Sequence, residues 1–254
     1  MDKRTTVRLQ KALSFAGIAS RRAAEKMVDQ ARVEVNGQIV SEQGRQVDIV
    51  KDDIKVDGIK VNFNKNRVTL ALNKPLGVES TMSLDVSGTS LADLIDNKYK
   101  GVFPIGRLDK DTSGLLLFTN DGELAYKLSH PKYKIAKIYM CLVNGLLTSK
   151  YVDQLELGVE IEIDEKKFIS KFDKVKIIGK NADKTILQIT LHSGKNRIIR
   201  RTISAIGFEI IELSRIQFGT IKLEQLKSGK TRVLSAAEVR SLEKNRLYNN
   251  KNNK

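Results

Sequence analysis

One acidic side chain lies between two cations in the stretch GRLDKDTSGLLLFTNDGEL, residues 106–124. Asp109 has Arg107 two positions before it and Lys110 directly after it. Cations close to a carboxylate favour its ionised form, and an ionised aspartate held in one position can act as a nucleophile or a base. A salt bridge within a loop is the other interpretation, and the spacing does not decide between them.

Other familiar catalytic patterns do not fit the sequence. SGKN at 193–196 and SGKT at 228–231 lack the glycine that a phosphate-binding loop needs five positions earlier. The two histidines fit no nucleophile motif, and two histidines with one cysteine predict no metal site. Asp111 and Asp121 are weaker candidates than Asp109, because they fit a cap of the following bend and a turn.

Two further segments carry side chains that suit an RNA substrate. In GKNRIIRRTISAIGF, helical spacing puts Arg197, Arg200 and Arg201 on one face and isoleucines on the other. These arginines suit phosphates, or one of them holds Asp109. In KIYMCLVNG, alternation puts Tyr139 on the same strand face as a lysine, where its ring can stack on a base or simply pack.

Composition predicts a polyanionic partner. The 254 residues contain 45 Lys and Arg against 30 Asp and Glu, which gives a net charge of +15. Such an excess favours nucleic acid over an anionic membrane surface. The lone Cys141 fits a reducing compartment, and no apolar run is long enough for a signal core or a membrane span. We therefore expect a cytoplasmic protein with no membrane association.

The first sixty residues predict a small module. Helical periodicity covers 7–16 and 21–31, and the turn pairs Asn36-Gly37 and Asp57-Gly58 predict two hairpins. Five cations lie on the helix faces turned away from the predicted core: Arg8, Lys11, Arg21, Arg22 and Lys26. Residues 61–67 read as a linker.

The rest of the chain mixes strands and helices without regular alternation, which predicts an α+β domain over 68–240 with a mainly antiparallel mixed sheet. The predicted strands are 68–74, 115–119, 138–143, 174–178, 186–191 and 210–218. The predicted helices are 91–95, 123–129, 149–155 and 197–206. The polar, Asn- and Lys-rich residues 241–254 predict a disordered basic tail.

Two resemblances add to this interpretation. The segments RLQKALSFAGIASRRAAEKMV and VEVNG resemble a small RNA-binding domain shared by a small-subunit ribosomal protein, tyrosyl-tRNA synthetases and several RNA-modifying enzymes. In that domain the helix cations meet RNA phosphates, whereas a solvated charged face is the simpler interpretation. NKPLGVEST, the GRLD stretch, KIYMCLVNG, GKNRIIRR and LSRIQFGTIKLEQLKSGKTRVL resemble bacterial ribosomal RNA pseudouridine synthases of the branch that carries this small domain.

The second resemblance implies roles for individual residues. Asp109 matches the catalytic nucleophile, Tyr139 the tyrosine that stacks on the target base, and Arg200 the basic residue that pairs with the catalytic aspartate. Arg107 matches the arginine that holds RNA around the flipped nucleotide. Ile198 departs from the family, whose members commonly carry Gln or Glu there. Whether the aspartate attacks the base or the sugar, or assists through a glycal intermediate, stays open.

The implied activity is isomerisation of one uridine to pseudouridine in ribosomal RNA, without cofactor or metal, by a monomer. The motif forms look more like members acting on large-subunit (23S) RNA than on small-subunit (16S) RNA. A non-catalytic ribosome-assembly protein and, less well supported, a DNA-binding regulator are the other hypotheses. The expected RNA-binding residues are Arg107, Lys110, Arg197, Arg201, Arg8, Lys11, Arg21, Arg22 and Lys26.

Overall fold

The structure is a computed structural model, and it describes residues 6–63, 67–83, 86–99 and 101–244. The chain divides into two compact units. Unit 1 comprises Met1–Val68, Asn97–Phe103 and Thr119–Gly122, and unit 2 comprises Thr69–Asp96, Pro104–Phe118 and Glu123–Lys254.

Unit 1 begins with two helices and two small sheets. The helices are α1 (Leu9–Phe15) and α2 (Arg21–Asp29). The strands are β1 (Thr6–Arg8), β2 (Val33–Val35), β3 (Gln38–Ile39), β4 (Gln46–Asp48), β5 (Ile54–Val56) and β6 (Ile59–Lys60). β1 pairs with β4, and the other four form an antiparallel sheet in the order β3-β2-β5-β6. Both predicted hairpins are therefore present.

Local signals explain where α2 begins and ends. The Ser20 hydroxyl accepts a hydrogen bond from the Ala23 amide at 3.2 Å, so it caps the first turn. The prediction that the helix continues to residue 31 is wrong, because Ala31 has a φ of 55° and is exposed. Ala24 and Val28 are buried against Leu9, Ala12 and Leu13 of α1 in an aliphatic core.

The strands after residue 68 are β7 (Thr69–Lys74), β8 (Phe103–Pro104), β9 (Ser113–Thr119), β10 (Lys137–Asn144), β11 (Val159–Ile163), β12 (Lys166–Ser170), β13 (Lys174–Asn181), β14 (Lys184–Leu191), β15 (Glu209–Phe218), β16 (Ile221–Lys222) and β17 (Thr231–Val233). The α-helices are α3 (Gly122–Ser129), α4 (Ser149–Leu157), α5 (Ile198–Ala205) and α6 (Ala236–Lys244), and Leu91–Leu94 and Pro131–Tyr133 form 3₁₀ turns. Because α6 reaches Lys244, the first four residues of the predicted tail are helical, and 245–254 lie outside the described residues.

A large mixed sheet forms the centre of unit 2, in the order β13-β14-β10-β15-β9-β7-β17. β10 is antiparallel to both of its neighbours, whereas β9 and β15 are parallel. This confirms the predicted α+β class with a mainly antiparallel sheet. On β10 the side chains of Tyr139, Cys141 and Val143 alternate into the buried face, and burial raises the pKa of the Cys141 thiol to about 12.

Two packing contacts in unit 2 position elements that carry polar side chains: β9 against β15, and α5 against β11 and β15. Gly114 on β9 faces Arg215 on β15, and a Cβ at Gly114 would lie 2.7 Å from the Arg215 backbone nitrogen. Its φ of +100° also favours glycine. Helix α5 packs on β11 and β15 through Ile199 and Ile203. The sheet and α5 therefore hold their polar residues at fixed separations.

Candidate active site

A pocket of about 280 Å³ in unit 2 brings the predicted catalytic residues together. Asp109 from the GRLD loop, Tyr139 from β10 and Arg200 from α5 all line it. They come from segments up to ninety residues apart in the sequence. The pocket also has both apolar and charged walls, which is the usual character of a small-ligand site.

Loop contacts hold Asp109 at the pocket. The Thr112 amide donates to the Asp109 carbonyl at 3.0 Å, which closes a tight turn. The Ser80 hydroxyl accepts from the Leu108 amide at 3.2 Å, so the NKPLGVEST segment braces the residue before Asp109. The Asp109 side chain is 36% exposed, and it therefore stays accessible to a ligand in the pocket.

Asp111, rather than Asp109, makes the close contacts with Arg197 and Arg200 at the start of α5. Arg197 donates to both carboxylate oxygens of Asp111, at 3.0 and 2.8 Å. The Arg200 Nε lies 3.1 Å from Asp111 Oδ2, and its Nη2 donates to the Asp111 carbonyl at 2.6 Å. Burial by itself would raise the pKa of Asp111, but the hydrogen bond from Arg197 and the charges of both arginines outweigh burial and lower it. Asp111 is therefore a charged anchor for both arginines.

The predicted pairing of Arg200 with Asp109 differs from this arrangement. Asp109 instead has Arg197 Nη1 at 3.9 Å from its Oδ2. Arg197 takes a left-handed conformation with a φ of 49° directly before α5 begins. The Asp111 carboxylate accepts from both ends of the Arg197 guanidinium, which is the two-bond geometry of strong arginine–carboxylate pairs. The sequence interpretation gave Asp111 only a capping role and so missed it.

Arg215 is a second residue that the sequence interpretation missed. It is 2% exposed and lines the pocket beside Tyr139. Its Nε donates to the Leu115 carbonyl at 2.7 Å and its Nη1 lies 3.5 Å from the Tyr139 hydroxyl. Its Nη2 has no hydrogen-bond partner among the residues that the structure describes. The signal was present in LSRIQF, where alternation puts Arg215 on the same face as the buried Leu213.

Comparisons with known proteins match both parts of the chain. A model described as RNA pseudouridylate synthase matches residues 68–205, and one described as S4 domain matches residues 7–54. The chain belongs to the RNA pseudouridine synthase family. It is therefore an isomerase that acts on RNA.

Individual relatives are similar over nearly their whole length. An uncharacterized RNA pseudouridine synthase of Mycobacterium tuberculosis is 44% identical over 93% of this chain and 92% of its own. The ribosomal large subunit pseudouridine synthase B of Bacillus subtilis is 42% identical over 92% and 95%. A crystal structure of a pseudouridylate synthase covers 93% of this chain and 99% of its own with a TM-score of 0.66, at 24% identity, and it shares the fold.

Two lysines of the synthase sit close to this site with lowered pKa values. Lys137 lines the pocket and donates to the His192 carbonyl at 3.0 Å, and burial, followed by the charge of Arg215, lowers its pKa to about 8. Lys74 is fully buried and donates to the carbonyls of Pro75 and Val78 at 3.0 and 2.8 Å. Burial lowers its pKa to about 8, although the charges of Asp111 and Asp109 oppose that change.

The predicted RNA-binding cations of unit 2 separate into different surroundings. Arg107 is exposed and lines the pocket, as does Arg197. Lys110 lies 3.1 Å from the Glu79 carboxylate instead. Arg201 donates to the Glu162 carbonyl on β11 at 3.0 Å, away from the pocket. Only the first two are therefore at the pocket wall.

The five predicted cations of unit 1 are all exposed on β1, α1 and α2. Their contact with RNA stays a prediction. Within the described residues no three His, Cys, Asp or Glu side chains group as a metal site would require. None of the described helices has the length and apolar character to cross a membrane.

Proposed function

We propose that this enzyme converts one uridine of ribosomal RNA, in the large subunit, to pseudouridine, with Asp109 as its nucleophile. The observation that supports this most directly is the convergence of Asp109, Tyr139 and Arg200 on one pocket. The name of the Bacillus subtilis relative, which is 42% identical, supports the large-subunit substrate. We also propose that the enzyme works as a monomer in the cytoplasm.

The reaction exchanges one bond of the nucleoside for another. The bond from C1′ of the ribose to N1 of uracil breaks, and a bond from C1′ to C5 forms. The proton leaves C5 and N1 carries a proton in the product, so the overall formula is unchanged. The target base must leave its stack to reach the pocket, and the pocket must keep the detached uracil from escaping.

The pocket side chains suit these steps. Asp109 is accessible at the mouth, where its carboxylate can act as the nucleophile. Tyr139 is 8% exposed and forms part of the inner wall, where its ring can stack on uracil and its hydroxyl can face the C5 proton. Arg197 provides positive charge 3.9 Å from the Asp109 carboxylate, and Arg200 lines the same pocket while paired with Asp111. Arg107, which is exposed at the pocket, can bind the phosphates that flank the target.

Arg215 has a donor available for the base itself. Its Nη2 is buried at the pocket, and no residue in the described part of the chain accepts a hydrogen bond from it. A buried donor without a partner costs free energy that a ligand acceptor can recover. A carbonyl oxygen of uracil is an acceptor of the required kind, and Arg215 would then hold the base against Tyr139 while it rotates.

The decisive experiment maps pseudouridines in both ribosomal RNAs from cells with and without this gene. We expect one large-subunit pseudouridine to disappear in the deletion strain and to return with the wild-type gene. Loss of a small-subunit site instead would move the substrate to the other RNA. Unchanged maps would contradict the proposed activity and favour the non-catalytic assembly role.

The purified enzyme tests the role of Asp109. Asp109→Asn should lower the single-turnover rate by on the order of 10³-fold or more, because the nucleophile is lost, while the Kd for the RNA stays within about two-fold. Asp164→Asn makes the same charge change in the exposed turn between β11 and β12 and should leave both values unchanged. An Asp109→Asn variant with substantial turnover would refute the assignment.

A further inference from the structure

Three aromatic side chains lie together at the C-terminal end of α3 and in the 3₁₀ turn that follows it. The ring centroids of Tyr126 and His130 are 4.9 Å apart, and those of Tyr126 and Tyr133 are 5.9 Å apart at a near-perpendicular angle. Tyr126 is 47% exposed, and His130 is exposed too. We call Tyr126, His130, Tyr133 and the intervening Lys132 the aromatic platform.

The backbone keeps the platform rigid. The His130 Nδ1 accepts a hydrogen bond from the Lys132 amide at 3.2 Å, and the Tyr133 amide donates to the His130 carbonyl at 3.1 Å. Lys134 then takes a left-handed conformation with a φ of 47° and closes the turn. A turn held in this way loses little conformational entropy when it binds a partner.

The platform combines ring faces with positive charge. The Lys132 Nζ lies 5.1 Å from the Tyr126 ring centroid and 4.8 Å from that of Tyr133. Hydrogen bonding with Tyr126, followed by that with Tyr133, raises the pKa of Lys132. A nucleotide offers the matching pair of groups, since its base stacks on aromatic rings and its phosphate binds a cation.

The platform also adjoins the pocket. Leu128 and Ser129, which lie between Tyr126 and His130 in the sequence, line the pocket that contains Asp109. Tyr126 and Ser129 are three positions apart on α3, so they are neighbours on its surface. An RNA strand whose target uridine enters the pocket at Ser129 would pass the Tyr126 ring with a nearby nucleotide.

We propose that the aromatic platform stacks an unpaired base of the substrate RNA next to the target uridine. The proposal rests on the proposed function for the identity of the RNA, but base stacking at Tyr126 can be measured without turnover. The partner is single-stranded RNA, because bases that are stacked within a duplex do not offer free faces to a protein ring.

The chain contains no tryptophan, so Tyr126→Trp creates a single fluorescent reporter. We expect single-stranded oligouridylate to quench this tryptophan at least two-fold, and duplex RNA of the same length to quench it much less. Tyr151→Trp is the matched control. Tyr151 lies on a different helix, α4, and its ring packs edge-on against that of Phe208, with 4.9 Å between the ring centroids. Equal quenching of the two reporters would overturn the proposal.

A second pair of variants uses the natural substrate. Tyr126→Ala should raise the Kd for the ribosomal RNA by about five-fold, the lower end of the loss expected for one stacked base. Tyr126→Phe keeps the ring and should bind within two-fold of the wild type. An unchanged Kd for Tyr126→Ala would also overturn the proposal. A wild-type enzyme that forms no pseudouridine would refute the proposed function, while the quenching result would still decide the platform.

Discussion

At the scale of single residues, two aspartates two positions apart compete for the arginines of one helix. Asp111 binds Arg197 with both oxygens and contacts Arg200 twice, whereas Asp109 has Arg197 at 3.9 Å. The closer contacts with the arginines are therefore made by Asp111, which is not the expected nucleophile. This leaves Asp109 accessible while the arginines stay fixed beside it.

We predict that Asp111→Asn lowers the single-turnover rate about ten-fold, because Arg197 and Arg200 lose the carboxylate that orients them beside Asp109. The Kd for the RNA should not rise, since no cation is removed. Rapid-quench measurement of pseudouridine at saturating RNA, beside an RNA-binding titration, separates the two effects.

Asp164→Asn again provides the control, because it removes one negative charge from the hairpin turn between β11 and β12. Asp111→Glu keeps the carboxylate and should recover part of the lost rate. If Asp111→Asn turns over at the wild-type rate, Asp111 has no positioning role.

At the scale of elements, periodicity and turn chemistry predicted most of the fold. The hairpins at Asn36-Gly37 and Asp57-Gly58, the long strands and α5 all follow from local patterns. The hairpin of β11 and β12 was not predicted, although Val159 and Ile161 of β11 alternate with glutamates as in a half-buried strand. The motif residues at the pocket were predictable, but the arginine partners depend on tertiary contacts that no local pattern encodes.

The approach of β9 to β15 gives a prediction about stability. Gly114→Ala should lower the melting temperature by roughly 5 °C, because its Cβ would meet the Arg215 backbone and its φ is positive. It should also impair turnover, since Arg215 lies beside Tyr139. Calorimetry and the single-turnover assay measure the two effects.

Gly122→Ala is the matched control, because a Cβ at Gly122 would meet no atom within 4 Å. Its melting temperature should stay within about 2 °C of the wild type. Equal melting temperatures for the two variants would show that the sheet adjusts to a side chain at Gly114.

At the scale of the whole molecule, the net charge is +15, and exposed cations lie on the helices of unit 1 as well as at the pocket. We propose that residues 1–60 capture RNA and that 68–240 carry out the reaction. Affinity and chemistry should then respond to different substitutions.

Substituting Gln for Arg21, Arg22 and Lys26 together should weaken RNA binding and make it less dependent on salt, by up to about one unit of slope for each lost phosphate contact. The single-turnover rate at saturating RNA should stay the same. Binding isotherms at several salt concentrations measure the slope.

The control replaces Lys166, Lys171 and Lys174, which are also exposed, with Gln. It reaches the same net charge through the other unit. An equal loss of affinity in the two triple variants would mean that overall charge, rather than the α2 surface, governs binding.

The lowered pKa values of two lysines near the site predict how the free energy of unfolding depends on pH. Lys74 and Lys137 have pKa values of about 8 in the folded protein, below the ordinary 10.5. Above pH 8 the unfolded chain therefore binds more protons than the folded one, so the free energy of unfolding rises with pH. Above about pH 9 the Cys141 thiol, whose pKa is raised from 9.0 to about 12, acts in the opposite direction.

Urea unfolding between pH 8 and 9 tests this sign. Lys137→Met should reduce the slope by up to about 1.4 kcal/mol per pH unit, the effect of one proton. Lys166→Met, at an exposed site, is the control and should keep the wild-type slope. A slope that is unaffected by Lys137→Met would mean that Lys137 keeps its proton throughout this range.

Cys141 can report how often its strand, β10, opens to solvent. It is the sole thiol of the chain, it is fully buried, and it lies two residues from Tyr139 on β10. A thiol reagent can modify it only when that strand opens, so the rate of labelling measures how often the strand opens. Bound RNA that stacks on Tyr139 would slow the labelling of Cys141, and a mass-spectrometric time course would measure this change in rate.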